Sequence, residues 1–267
     1  MGFRRAKGTP NLVWMTVDAT DTLYRGQLVK YGSDGVLPVG AASGADDATG
    51  DSYIAGIVVG DNNAIGSLVY DSTYKTHSIT AVATQALLAA RNTVLHQGEG
   101  RPKGDKRAMV LVDVIDVTTW IYGPIFVTAY GTAPSLLTAT AASTDGGVTG
   151  PTTNACDFTP VADLCTIFCR TGANAGQSRV TTDTSTTVPT VTHAFMEDIA
   201  IGDTFVRVPL CIGMSYLQTE ATESMYINGA ASPATNYFAV EVVKLGLEEA
   251  GKEHAIFRFA NKLHKFA

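Results

Sequence analysis

Apolar positions along this chain come in short runs, several of them alternating with polar ones, and Gly, Asp, Asn or Pro stands between the runs. Period-two alternation bounded by turn residues is the pattern of half-buried β-strands. "GQLVKYGSDGVLPVG" (26–40) predicts strand, turn, strand, with Ser33, Asp34 and Gly35 making the turn. "SYIAGIVVGDN" (52–62) and "SLVYDSTY" (67–74) predict two more strands. "RAMVLVDVIDVTTWIYG" (107–123) is apolar on both faces at its start, as a central strand is, and "GPIFVTAYGTAPSLLTA" (123–139) continues the β pattern.

Further on, "ADLCTIFCRTG", "GQSRVTTDTSTTVPTVTHAF" and "GDTFVRVPL" predict strands, and "NYFAVEVVKL" (236–245) with "HAIFRFANK" (254–262) predicts a closing hairpin. The stretch 178–195 carries seven threonines and no reactive group besides His193. Thr and Val are stiff at χ1 and fit a pleated surface better than a helix, so this stretch reads as scaffold. Its alternation sets Val188, Thr190, Thr192 and Ala194 on one face against Val191, His193 and Phe195 on the other. Pro189 lacks an N–H and predicts an edge or a bulge there. One segment departs from the β pattern. "TAVATQALLAARNTVLHQG" spaces Ala and Leu helically, which predicts one short helix near 80–97.

These elements predict a mainly β protein: a small β-barrel module over 11–139, a Gly/Thr-rich loop or linker over 140–154, and a second β-rich module over 155–267. Residues 1–10 read as an N-terminal arm.

Charge changes the picture by its placement. The chain of 267 residues has a formal net charge of −6, which argues against a general nucleic-acid binder. Between Ala108 and Val243 the three cations Arg170, Arg179 and Arg207 face twelve acids. Positive charge collects in the arm (Arg4, Arg5, Lys7) and in "GRPKGDKR", with Arg101, Lys103, Lys106 and Arg107. Both groups are candidate contacts to an acidic partner. Apolar residues make up 45%, enough for a packed core, and no apolar run is long enough to span a bilayer, so a membrane is not an expected partner. No hydrophobic stretch follows the basic opening, so it does not read as a secretory signal, and synthesis in a reducing cytoplasm is the expectation.

Candidate chemistry is sparse. Cys156, Cys165, Cys169 and Cys211 lack ligand-spaced partners and read as buried thiols rather than a zinc site or disulfides. Nucleophile-elbow, HExxH, phosphate-loop and dinucleotide motifs are absent, and no cofactor or metal is expected. A triad through His193 with Asp183 or Asp198 is the enzymatic alternative, against the plainer reading of a strand histidine.

"GANAGQSRVTTDTSTTVPTVTHAFMEDIAIGDTFVRVP" (172–209) resembles a recurring β-segment of tailed-phage virion proteins. "DTLYRGQLVKYGSDGVLPVGAA" (21–42) with "AGIVVGDN" (55–62) is similar to the opening of the small β-barrel, the β-tulip, of phage capsid decoration proteins. The resemblance implies a cement protein on the virion surface, a homotrimer that binds the major capsid protein of the head and braces neighbouring capsomers. It implies no catalytic residue and no direct nucleic-acid contact. The alternative is a tail, fibre or adhesin module that binds glycan through exposed aromatics.

Overall fold

The computed structural model describes residues 3–16, 23, 25–31, 36–39, 54–60, 68–71, 76–79, 109–126, 135–143, 149–156, 164–219, 226–228 and 240–259. These residues are all β, in seventeen strands and without a helix. The helix expected near 80–97 lies outside the described residues, as does the loop 101–107.

The largest sheet runs β1 (Arg4–Lys7), β9 (Trp120–Phe126), β15 (Tyr226–Asn228), β14 (Ser215–Thr219), β16 (Val240–Gly246) and β17 (His254–Phe259), and β17 also pairs with β9. The second sheet runs β2 (Leu12–Thr16), β8 (Met109–Val114), β5 (Ile54–Gly60), β3 (Leu28–Tyr31) and β4 (Val36–Pro38). The third runs β10 (Ser135–Thr138), β13 (Thr204–Val208), β11 (Cys165–Cys169) and β12 (Ser178–Thr181). A separate hairpin joins β6 (Leu68–Asp71) to β7 (Thr76–Ile79). Every described pairing is antiparallel except β15 with β9.

Alternation explains how the sheets pack. Leu28, Ile54 and Ile57 from the second sheet and Val206 and Val208 from the third enter one core with Ile121, Val240, Val242 and Phe257 of the first. Their neighbours Val29, Ala55, Val58, Val110 and Val112 point the other way and form a second core. Likewise Leu137, Ile167, Cys169 and Phe205 turn to the far face of the third sheet, where Val191, Phe195 and Ile199 cover them. Central strands of these two sheets, β5, β11 and β13, are therefore buried on two faces, while Leu12 of β2 and Leu136 of β10 stay exposed at the edges.

Strand pairing crosses the boundaries that composition suggests. β9 precedes residue 140 in sequence yet lies between strands from both ends of the chain, and β10 pairs with β13. The segment 140–154 is tied down where it is described, with bridges from Ala139 to Thr153, Ser143 to Ile199 and Thr149 to Thr190. The arm is not an appendage: Phe3 is buried, and its ring meets Phe257 edge-on at 5.5 Å. Gly123 permits this, because a Cβ there would lie 2.7 Å from the Phe3 ring.

Two expected strands are broken. The run 107–123 is interrupted between β8 and β9, where the Asp116 carboxylate accepts from the Thr118 N–H (2.8 Å) and the Thr118 and Thr119 hydroxyls (2.7 and 3.0 Å). A side chain that captures backbone two residues on makes a turn that local hydrophobicity cannot override. The Thr-rich stretch is regular only through β12; beyond it, isolated bridges join Thr181 to Val191 and Thr149 to Thr190. Val191 and Phe195 are buried as alternation expects, but His193 is exposed.

Candidate partner-binding site

A β-bulge in β1 sorts the basic residues of the arm. Arg4 pairs with Tyr122, Arg5 with Ile121 and Lys7 with Trp120, so Ala6 is the extra residue of the bulge. Arg4 and Lys7 thus share the outer face with Tyr122 and Trp120, while Arg5 turns inward with Ile121. The Arg4 guanidinium sits 4.2 Å from the Tyr122 ring centre and the Lys7 ammonium 4.5 Å from that of Trp120. Both cations are exposed, and neither meets a carboxylate among the described residues. A cation held over a ring keeps its charge available while losing side-chain freedom beforehand.

Arg5 has a different job. Its Nε and Nη2 donate to the two carboxylate oxygens of Asp113 at 2.8 and 2.7 Å, with the side chains 10% and 5% exposed. The fork also donates to the Val114 carbonyl (2.6 Å) and the Thr119 hydroxyl (3.1 Å). A bidentate pair of this kind fixes both distance and orientation. It fastens β1 to β8 of the second sheet and is not offered to a partner.

The outer row continues with His254, which stacks on Tyr122 (centroids 4.4 Å apart, 27° between planes), and with Arg258, which donates to Glu241 at 3.0 Å. Trp120 and Tyr122 are half-buried, and each carries a cation. That differs from the open aromatic platform expected of a glycan site. The other basic candidates, Arg101, Lys103, Lys106 and Arg107, lie outside the described residues.

The Thr-rich stretch is organised by Arg207, a residue that motif reading passes over. Arg207 is fully buried in β13. Its Nη1 donates to the Ser185 carbonyl, and its Nη2 to the Thr181 hydroxyl and the Asp183 carbonyl, both at 3.1 Å. The signal for this placement is in the pattern: in "TFVRV" Arg207 stands two residues from Phe205, hence on the same inward face. Asp183 is also engaged locally, accepting from the backbone N–H groups of Ser185 (3.1 Å) and Thr190 (2.7 Å). Burial raises its pKa, but those bonds together with Arg207 outweigh burial and hold it below the ordinary value. Among the described residues no hydrogen bond joins the exposed His193 to Asp183, whose carboxylate oxygens accept from Ser185 and Thr190 instead.

All four cysteines are unbridged thiols. Burial pushes the Cys165 and Cys169 thiols up to about 11, the opposite of what a nucleophile requires. Among the described residues no cluster of three or more His, Cys, Asp or Glu side chains could hold a metal ion. No family model matches this chain, and neither does any curated protein or solved structure.

Proposed function

We propose that this chain is a structural virion protein, a capsid decoration protein that binds the outer surface of a tailed-phage head and braces neighbouring capsomers without turning over a substrate. The observation that carries the binding part of this reading is the outward pair Arg4 and Lys7, held over Tyr122 and Trp120 with no carboxylate partner among the described residues. Such a pair is suited to an acidic protein surface. The sequence resemblance over 172–209, 21–42 and 55–62 supplies the virion part, with the major capsid protein as partner. Sheets whose central strands are buried on both faces suit a protein that must carry load.

The test is co-sedimentation of the purified protein with undecorated phage heads. The wild-type chain should pellet with them. Arg4→Glu with Lys7→Glu should abolish pelleting at near-physiological salt while leaving circular dichroism unchanged, because both side chains point outward. Removing residues 1–10 is the wrong variant, since it also takes Phe3 and Arg5 out of the fold. A wild-type chain that stays in the supernatant at every protein concentration would overturn the reading.

A further inference from the structure

The chain carries, besides the basic face, a rigid acidic and apolar tip, and we propose that the tip of one copy docks on the Arg4–Lys7 face of another, head to tail. This inference rests on the reading of Arg4 and Lys7 as partner contacts: in the absence of heads, the same face takes a second copy of the chain in place of the capsid.

The tip is the loop 196–202. Met196 and Ile201 are the most exposed large hydrophobic side chains among the described residues, at 73% and 69%. Their exposure does not come from fraying. Asn174, fully buried, donates its amide to the Glu197 carbonyl (2.7 Å) and accepts from the Glu197 N–H (3.0 Å). Gln177 accepts from the Met196 N–H (3.3 Å), and Asp203 accepts from the Ala200 N–H (3.0 Å). Between the two exposed side chains Ile199 is buried and bridges to Ser143. The "GANAG" turn that presents Asn174 needs its glycines: Gly172 has φ +87°, and a Cβ there would run into the Asp203 carboxylate. A loop held at this many points loses little freedom on docking, so its apolar tips are preorganised for contact.

Charge selects the occupant. Glu197 is exposed, and its carboxylate has no partner among the described residues. The acidic middle of the chain offers it no cation, because its three arginines are spent internally. Arg170 binds Glu253 (2.6 Å) and the Leu247 carbonyl, Arg179 binds the Ala194 carbonyl and Gln177, and Arg207 is buried. Arg4 and Lys7 present the complement, two cations beside Trp120, Tyr122 and the half-buried Ile256. Within one chain they meet no carboxylate of the loop. Because the two surfaces differ, the contact is heterologous and either closes a ring or extends a row.

The experiment uses full-length protein and light scattering without phage heads, at ~0.05 M and ~0.5 M salt. The wild-type mass should exceed one chain at low salt and fall towards it at high salt. A face-blocked variant, Arg4→Glu with Lys7→Glu, and a tip-blocked variant, Met196→Ser with Glu197→Lys, should each self-associate at least about tenfold more weakly. Mixed together, they retain one working face and one working tip, so they should form a species of two chains and nothing larger. A wild-type chain that stays monomeric, a tip-blocked variant that associates as the wild type does, or a mixture that stays monomeric would each overturn the proposal. Its failure is separable from failure of the virion reading: a monomer that still pellets with heads rejects the head-to-tail contact alone, and a self-associating protein that ignores heads rejects the virion reading alone.

Discussion

Arg207 is the residue on which the Thr-rich segment depends. Its guanidinium donates to the Ser185 and Asp183 carbonyls and the Thr181 hydroxyl, adding to the few backbone bonds of this segment, which run from Thr182 to Thr190, Thr153 to Thr187 and Cys156 to Thr186. Arg207→Ala removes those donors together and leaves buried acceptors behind, at a cost of about 3 kcal/mol in urea unfolding. Arg207→Lys should recover little of it, since a point ammonium cannot span the same fork of acceptors. Asp183 gives this region a pH signature. Its folded pKa lies below the unfolded one, so its stabilisation is fully present at neutral pH and is lost as pH falls below about 4, through the folded value. Asp183→Asn should therefore be less stable than wild type at neutral pH, and chemical denaturation should show the gap narrowing on acidification. Alternation placed Arg207 and Phe205 on one inward face, so the position of the arginine was legible. Its role was not, because the carbonyls it serves lie more than twenty residues away in sequence. The capture of Thr118 and Thr119 by Asp116 was legible in principle as an Asp–x–Thr turn, but the apolar run on either side masked it.

At the scale of elements, β1 is the least conspicuous strand in the sequence and among the most consequential. Four residues rich in charge do not read as a strand, and propensity gives no reason to expect one. What makes it a strand is tertiary: Phe3 in the core and Arg5 on Asp113. Phe3→Ala should cost about 3 to 4 kcal/mol, seen as a lower urea midpoint with unchanged slope, because the cavity beside Gly123 and Phe257 has no neighbour free to fill it. Elements whose information is local, such as the β3–β4 and β16–β17 hairpins and the strand β5, were plain from alternation and turn residues.

For the whole molecule, the central fact is that neighbouring strands come from distant parts of the chain. β9 holds β1 from one end and β17 from the other, and β10 docks on β13 across some seventy residues of sequence. A boundary near 140–154 is suggested by composition, but the cores cross it. The fragment 155–267, made alone, lacks β9 and β10 and leaves β13, β15 and β17 with open edges. It should show no near-ultraviolet circular dichroism and poor amide dispersion by NMR, whereas the full chain should unfold in one cooperative transition. Long-range pairing of this kind also implies folding on the millisecond-to-second scale.

The interleaving in β1 separates two kinds of heritable information on adjacent codons. Arg5 answers to the interior and Arg4 and Lys7 to whatever lies outside, so a lineage could rewrite the outer pair in single steps without disturbing the inner one. Such a strand lets a change of partner proceed at constant stability: the outward positions drift or reverse sign as the opposing surface changes, while the inward arginine stays put.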